Sequence, residues 1–345
     1  MAKTTIAIVH GDPAGIGPEL LIKLLSDKKT TDRANILVIG DPKVFLRGEN
    51  TVGYQIENVR HITNIKNLNF SNCNINHLDI NFEGIDGVPT AAVSATGGAS
   101  TIGGLHRALE LSKNGYVAGI VFMPFNKESM HLGGNDFNDE LGYASQFFKL
   151  KTRASEFNFA NGMWNSRVTS HVAMKDVHNL LNEDLICEEI ALTNQTLELA
   201  GYDRPRIVVS AYNPHAGDGG LMGREEIDVI APAIKRMKQK QISVNGPLPA
   251  DTLWLKVRDG EYDAVVTMYH DQGQIAIKLL GFDRGVTILA GLPIPITTPA
   301  HGTAFDIAGQ NKANIVPTQN AFIMAVNMAE HRKSTDGVVS NQNEY

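Results

Sequence analysis

Val265–Lys278 reads VVTMYHDQGQIAIK, an apolar β-type run of Val, Thr, Met and Tyr that stops at His270 and Asp271 and leaves Lys278 about two helical turns further on. A buried strand accounts for the run, but not for two polar, metal-capable side chains at its end. The same placement recurs twice: His171 stands at the end of RVTSHVAM, and His215 follows the run in RIVVSAYNPHAG. Working outward from these segments, short β-type runs alternate with longer helical ones. TTIAIVH is followed by a helix from Pro18, NILVIGD comes next, and a helix across Gly103 to Ser112 leads to YVAGIVFMP. FNFANGMW and RVTSHVAM precede a helix from about Leu185 to Ala200; RIVVSAY precedes one from Glu225 to Lys238; AVVTMYHD and VTILAG complete the series. This alternation predicts an α/β architecture with a largely parallel core.

At 345 residues, with 43% hydrophobic and 20% charged, the chain can bury a large core and reads as an ordinary soluble protein. The polar, glycine-containing stretch Asn126–Gly142 marks one crossing between domains, and Ala290–Pro295 marks the return. That reading gives a first domain of residues 1–127 plus 290–345 and a second of 128–289. The final run, STDGVVSNQNEY, lacks periodic apolar positions and is expected to form a loose tail.

A formal net charge of −6 offers no general attraction to phosphate backbones or acidic lipids, and no run of Lys or Arg occurs, so nucleic acid and membrane are poor partners. MAKTTIAIVHGDPAGIG reads as a first strand and its turn, not a signal peptide, and no apolar run approaches membrane-spanning length. Cys73 and Cys187 show no zinc or redox spacing and are expected to be reduced thiols in a cytoplasmic protein.

In open α/β sheets ligands bind beyond the carboxyl ends of the strands, so His171, His215 and His270 can converge there on one divalent metal with an open position. Any one of them can equally be a hydrogen-bonded strand-end histidine. Asp271, beside His270, and Asp251 in GPLPADTLW can ligate, orient an imidazole or move a proton, while Asp251 also suits a helix N-cap. Lys278 can lean back over the same site or lie on the surface. HGDPAGIGPEL follows the first strand and opens a helix, so its backbone N–H groups can face an anion or a cofactor, although it lacks G-x-G-x-x-G spacing. PAHGTAFDIAGQNKAN, Pro299 to Asn314, puts a His, glycines and an Asp into one loop-helix junction.

In these motifs the chain resembles the 4-hydroxythreonine-4-phosphate dehydrogenase family. GDPAGIGPE, MPFNKE, TSHVAMKDV, NPHAGDGGLMGREE, GPLPADT, MYHDQGQIAIK and HGTAFDIAGQNKAN all occur in the family's order. The first and last also resemble isopropylmalate and isocitrate dehydrogenases, which implies their two-domain α/β/α fold with an active site in the interdomain cleft. The resemblance implies that His171, His215 and His270 ligate the metal, one of them supplied by the second subunit of a homodimer. It implies NAD or NADP, held by Gly11, Asp12, Gly15 and Gly17 and by His301, Gly302, Thr303, Asp306 and Asn314. Zinc, cobalt, manganese, nickel or magnesium are the candidate ions. The reaction implied is oxidation of a hydroxyl β to a carboxylate of a small hydroxy acid, with loss of CO2 from the β-keto acid; Lys278, Asp251 and Asp271 would do the proton and charge work.

The chain departs from the family where phosphate is bound. After Asn126-Lys127 the phosphate-using members read like DFPGHTE, whereas this chain has NDFNDELGYASQ, with Glu140 and Leu141 where His and Thr are expected. Thr287 replaces an Asn and Ile296 an Arg, while Lys278 and Arg284 remain. Losing a guanidinium and gaining a carboxylate both work against phosphate, so Glu140, Thr287, Ile296 and Lys278 are expected to shape a pocket for a non-phosphorylated hydroxy acid or cis-dihydrodiol acid. The competing readings are the 4-phosphate enzyme itself, a catalytically silent metabolite-binding relative and, from spacing alone, a metal-dependent hydrolase.

Overall fold

Thr5–Val9, the run TIAIV, is buried at four of its five positions, as a strand covered on both faces by helices must be. It is β1 of a mixed α/β protein. The computed structural model describes residues 3–342. The chain divides into two compact units, Met1–Leu150 with Leu292–Tyr345, and Lys151–Gly291. Among the described residues no helix is long and apolar enough to cross a membrane, and Cys73 and Cys187 are free thiols.

In the first unit β1 is joined by β2 (Asn35–Gly40), β3 (Val59–Ile62), β4 (Ile75–Asp79), β5 (Gly119–Phe122) and, after the chain returns, β12 (Ile296–Pro299). The order is β3-β4-β2-β1-β5-β12, with every pairing parallel. β3, β4 and β12 escape the pattern of apolar runs: VRHI and INHLD carry histidines and charge within four- and five-residue strands.

The second unit contributes β6 (Ser155–Ala160), β7 (Met163–Arg167), β8 (Ile207–Ser210), β9 (Val244–Leu248), β10 (Ala264–Thr267) and β11 (Val286–Ala290). Their order is β11-β6-β7-β10-β8-β9, parallel except that β6 runs against both neighbours. FNFANGMW, read above as one run, is therefore the corner of a hairpin. Asn161 (φ 50°) and Gly162 (φ 81°) take the left-handed conformations a tight two-residue turn needs.

Two boundaries differ from the sequence reading. Residues 128–150 belong to the first unit: the helix Lys127–Leu132 lies so close to the helix Ala95–Lys113 that a Cβ on Gly98 would come within 1.7 Å of the Ser129 carbonyl oxygen. His106 Nδ1 and the Tyr143 hydroxyl, 2.9 Å apart, fasten the next helix, Glu140–Phe148, to the same support. The last helix, Val316–Gln342, continues through most of the expected tail; its one proline, Pro317, lies in the first turn where it is tolerated, and one interior glycine, Gly337, costs only about 1 kcal/mol. The remainder of that tail lies outside the described residues.

Candidate active site

β7, β10 and β8 are adjacent, so the loops leaving their carboxyl ends share one rim of the second unit. The loops after β7 and β8 carry His171 and His215, and His270 opens the helix that follows β10. The structure brings two of them together: the His171 and His270 rings lie 5.6 Å apart, centroid to centroid. Both line a cavity of about 180 Å³ with Thr169, Ser170, Tyr269 and Asp271, and neither Lys nor Arg is among its lining residues. His215 is exposed on the neighbouring loop. Within one chain, the three imidazoles do not form a set whose ligand atoms all lie within 4.8 Å of one another.

The strand ends are tied to each other by polar contacts. Met268 carbonyl oxygen accepts from the Thr169 hydroxyl (2.8 Å) and backbone N–H (3.2 Å), joining the His171 loop to the end of β10. Gln272 accepts from the Met268 N–H (2.8 Å) and donates to the Ala211 carbonyl oxygen (2.6 Å), joining β10 to β8. Sequence reading missed Gln272, although it lies two residues beyond His270.

It also missed the charged layer beneath the His171 loop. Arg167, 1% exposed, donates to Asn158 (2.7 Å), Glu156 (2.8 Å) and the Ser170 hydroxyl (2.9 Å). Arg153 is paired with the fully buried Glu189 and donates to the Val168 carbonyl oxygen at 2.7 Å. Burial lowers the Arg167 pKa and raises that of Glu189, in each case against the pull of its ionic partners. The sequence carries little signal for it, since Arg167 ends the polar run Asn165-Ser166-Arg167 and only its burial shows that the guanidinium must be paired.

The His215 loop is held in an unusual backbone. His215, Ala216, Gly217, Asp218 and Gly219 all have positive φ, between 43° and 77°. Each L-residue in such a left-handed turn costs roughly 1–2 kcal/mol, and strain of this kind collects at functional loops. Glu226 compensates: it is buried and accepts from the Tyr212 and Asn213 N–H groups at 2.8 and 2.7 Å.

The flanking residues fall as follows. Asp271 receives His270 Nδ1 at 2.7 Å and is otherwise exposed. Asp251 is no N-cap: Pro249 holds that position, and Asp251 sits exposed in the first turn of the helix Ala250–Arg258. Lys278 does not lean back toward His270; its Nζ lies 5.8 Å from the Phe282 ring centroid, toward the other end of the helix His270–Gly281. Thr287 Oγ1 accepts from Asn158 at 3.1 Å and so belongs to the network under the loop. Glu140 is buried in the first turn of its helix in the first unit. Ile296 is wholly buried in β12 opposite Ile120, which makes it a core residue in place of the expected substrate contact.

The first loop expected to meet a cofactor is also enclosed. Gly11, Asp12, Gly15 and Gly17 are all buried. A Cβ on Gly11 would meet Met123 at 2.8 Å and one on Gly15 would meet Thr303 at 2.7 Å, so these glycines admit neighbouring protein. Asp12 accepts the Ala14 N–H at 2.8 Å, and burial raises its pKa. The 301–314 segment behaves differently: Gly302, Asp306 and Asn314 are exposed, and a Cβ on Gly302 would meet nothing within 4 Å. Burial lowers the His301 pKa. Its far end is anchored where Glu19 accepts from the Ala313 N–H (2.7 Å) and Lys23 (2.9 Å).

A mixed α/β scaffold that raises two imidazoles beyond its strand ends places them where open α/β sheets bind ligands, as in α/β enzymes. The chain belongs to the family of pyridoxal phosphate biosynthetic protein PdxA, whose model matches residues 32–327. It is 46% identical, over 95% of this chain and 97% of the relative, to a putative 4-hydroxythreonine-4-phosphate dehydrogenase 2 of Pseudomonas aeruginosa. Among solved structures it resembles the 4-hydroxythreonine-4-phosphate dehydrogenase of Klebsiella pneumoniae, with TM-score 0.82, 35% identity and coverage of 95% and 100%. A terephthalate 1,2-cis-dihydrodiol dehydrogenase of Burkholderia xenovorans matches with TM-score 0.66 and 25% identity, covering 95% and 98%.

Proposed function

We propose that the protein is a divalent-metal- and nicotinamide-dependent dehydrogenase that oxidises the hydroxyl β to the carboxylate of a small, non-phosphorylated hydroxy acid or cis-dihydrodiol acid. The observation that carries this reading is the pairing of His171 with His270 beside Asp271, in a cavity whose lining contains no cation. Imidazoles suit a borderline divalent ion, and Asp271 serves to orient His270, since the three do not form a ligand set in one chain. Phosphate needs donors and positive charge, and neither Lys nor Arg lines the cavity beside the two imidazoles.

His171 and His270 would hold the ion from one chain, with the partner subunit's His215 completing the set, since a single chain does not bring the three together. Asp271 fixes the His270 ring through Nδ1, which leaves Nε2 as the ligating nitrogen. When bound, the ion supplies Lewis acidity at the substrate oxygen and the nicotinamide accepts hydride. The stretch from His301 to Asn314, exposed at Gly302, Asp306 and Asn314 but buried at Thr303, is the part of the chain suited to hold NAD or NADP. Lys278 would have to swing away from Phe282 to bring its charge to the substrate carboxylate, and Asp251, exposed in the first turn of its helix, is the acid proposed for proton transfer. Loss of CO2 from the β-keto acid would follow oxidation.

The name of the Pseudomonas relative favours a second reading, a 4-phosphorylated substrate. The deciding experiment measures nicotinamide reduction by the metal-loaded protein with 4-phosphohydroxy-L-threonine and D-threonate 4-phosphate against non-phosphorylated 3-hydroxy acids and cis-dihydrodiol acids. Turnover confined to the non-phosphorylated compounds is expected. A higher kcat/KM on a phosphorylated compound establishes the second reading, and metal uptake with no turnover on any of them makes the chain a silent relative.

A further inference from the structure

Away from the residues discussed so far, the first unit holds a second group of imidazoles. His61 on β3 and His77 on β4 are paired residues of neighbouring parallel strands, and Asp79 lies two residues beyond His77, on the same face. Asp79 Oδ1 is 2.9 Å from His61 Nδ1 and 2.6 Å from His77 Nδ1. Among the described residues, these three form the set of candidate ligand atoms that all lie within 4.8 Å of one another. We propose that His61, His77 and Asp79 form a binding site for a divalent transition-metal ion such as zinc, cobalt or nickel, separate from the set around His171 and His270.

Strand register supplies the preorganisation. Pairing His61 with His77 fixes the two rings with centroids 4.9 Å apart, and Phe45, from the helix Pro42–Val52, stands edge-on to both. The buried His77 ring is held on its far side by His10, whose Nε2 is 2.9 Å from His77 Nε2. Gly40 makes room for His10: a Cβ there would come within 2.6 Å of the His10 ring. His77 thus has one ring nitrogen facing Asp79 and the other in a hydrogen bond, the arrangement that orients a metal-ligating imidazole.

Metal–nitrogen and metal–oxygen bonds of about 2.0–2.2 Å hold tetrahedral ligand atoms about 3.3 Å apart. The separations to Asp79, 2.9 Å from His61 and 2.6 Å from His77, are about 0.4 and 0.7 Å shorter, so Asp79 must swing away from the buried His77 and His61 must move as well. His61 can give way, because it lies on the outermost strand of its unit and its side chain is 45% exposed. That exposed side also leaves room for water as a fourth ligand. Two imidazoles, one carboxylate and an open position match zinc and its neighbours better than magnesium or calcium.

The competing account is a purely hydrogen-bonded triad in which Asp79 Oδ1 accepts from both Nδ1–H groups. His10 Nδ1 is buried without a partner in this structure. In that triad His10 donates to His77 and its Nδ1 is a bare lone pair, whereas a metal on His77 Nδ1 reverses the shared hydrogen bond and puts the His10 proton on Nδ1, a cost the metal bonds must offset.

The test uses the full chain stripped of metal and titrated with zinc alone, with bound zinc counted by mass spectrometry, and with cobalt(II) as an absorption probe. His61→Ala and Asp79→Asn, both at partly exposed positions, are compared with wild type and with H171A. H61A and D79N should each bind one zinc fewer per chain, or bind it at least about 100-fold more weakly, and should lose a cobalt band that H171A retains. Unchanged metal-free melting would show that folding is intact. Zinc binding and cobalt spectra identical to wild type in both variants would overturn the proposal and leave the triad as hydrogen bonds only. Since H171A reports on the other set, failure of either site is seen separately.

Discussion

Two groups of imidazoles rise from two units, and they differ in what one chain completes. In the first unit His61, His77 and Asp79 come together within a single chain, fixed by strand register and backed by the buried His10. In the second unit the chain brings the His171 and His270 rings together, but the two do not form a ligand set with His215, which stands on an exposed, left-handed loop. Adjacent β pairing can finish a ligand set without help. A set carried on the loops of three strands can remain open, waiting for a group from elsewhere. The lower layers differ as well: aromatic and imidazole rings in the first unit, buried ion pairs in the second.

The largest effect should come from breaking the ion-pair layer. Arg153→Met would leave Glu189 buried and unpaired and would free the Val168 carbonyl oxygen. Removing one partner of such a pair typically costs about 3–5 kcal/mol. Urea unfolding should show a loss of that size, together with weaker metal binding at His171 and His270. A loss below about 1 kcal/mol would place the pair among ordinary surface contacts.

A smaller effect sharpens the contrast through pH. His10 has its pKa well below the ordinary imidazole value, from burial first and then from His77. Its folded state therefore binds fewer protons than the unfolded chain. The stability it contributes is present above about pH 6.5 and is lost as pH falls toward the lowered value. Glu189 has the opposite sign: burial raises its pKa, so its contribution is present at low pH and declines as pH rises through the raised value. Stability curves measured between about pH 5 and 7 should slope less in His10→Asn than in wild type, by no more than about 1.4 kcal/mol per pH unit for one proton. An unchanged slope would mean that His10 is not held neutral.

Much of this was legible in the chain. The alternation from TTIAIVH to VTILAG reveals the α/β architecture because buried parallel strands must be continuously apolar, and the same logic locates the three histidines at strand ends. What stayed hidden had physical reasons. β3 and β4 carry His61, His77 and Asp79 and so lack an apolar signature. The Asn161-Gly162 corner was readable as a hairpin but lay inside one apolar run. The glycines of GDPAGIG suggest an anion cradle, yet a glycine that admits Met123 or Thr303 looks the same in sequence as one that admits a phosphate. Ile296 was read by its position in a motif, where burial decides otherwise.

The central claim is that the second unit's histidine set is completed by another copy of the chain, and subunit complementation tests it most directly. His171→Ala and His215→Ala would be purified separately, each expected to lose about 1,000-fold in kcat/KM from several kcal/mol of lost stabilisation, then mixed under conditions that allow dimers to exchange. If the set is shared across a two-fold dimer, half of the re-formed dimers are mixed and each holds one intact set, so about a quarter of wild-type activity should return. If the mixture, with exchange demonstrated, stays as inactive as its two components, all three histidines act within one chain and the claim is wrong.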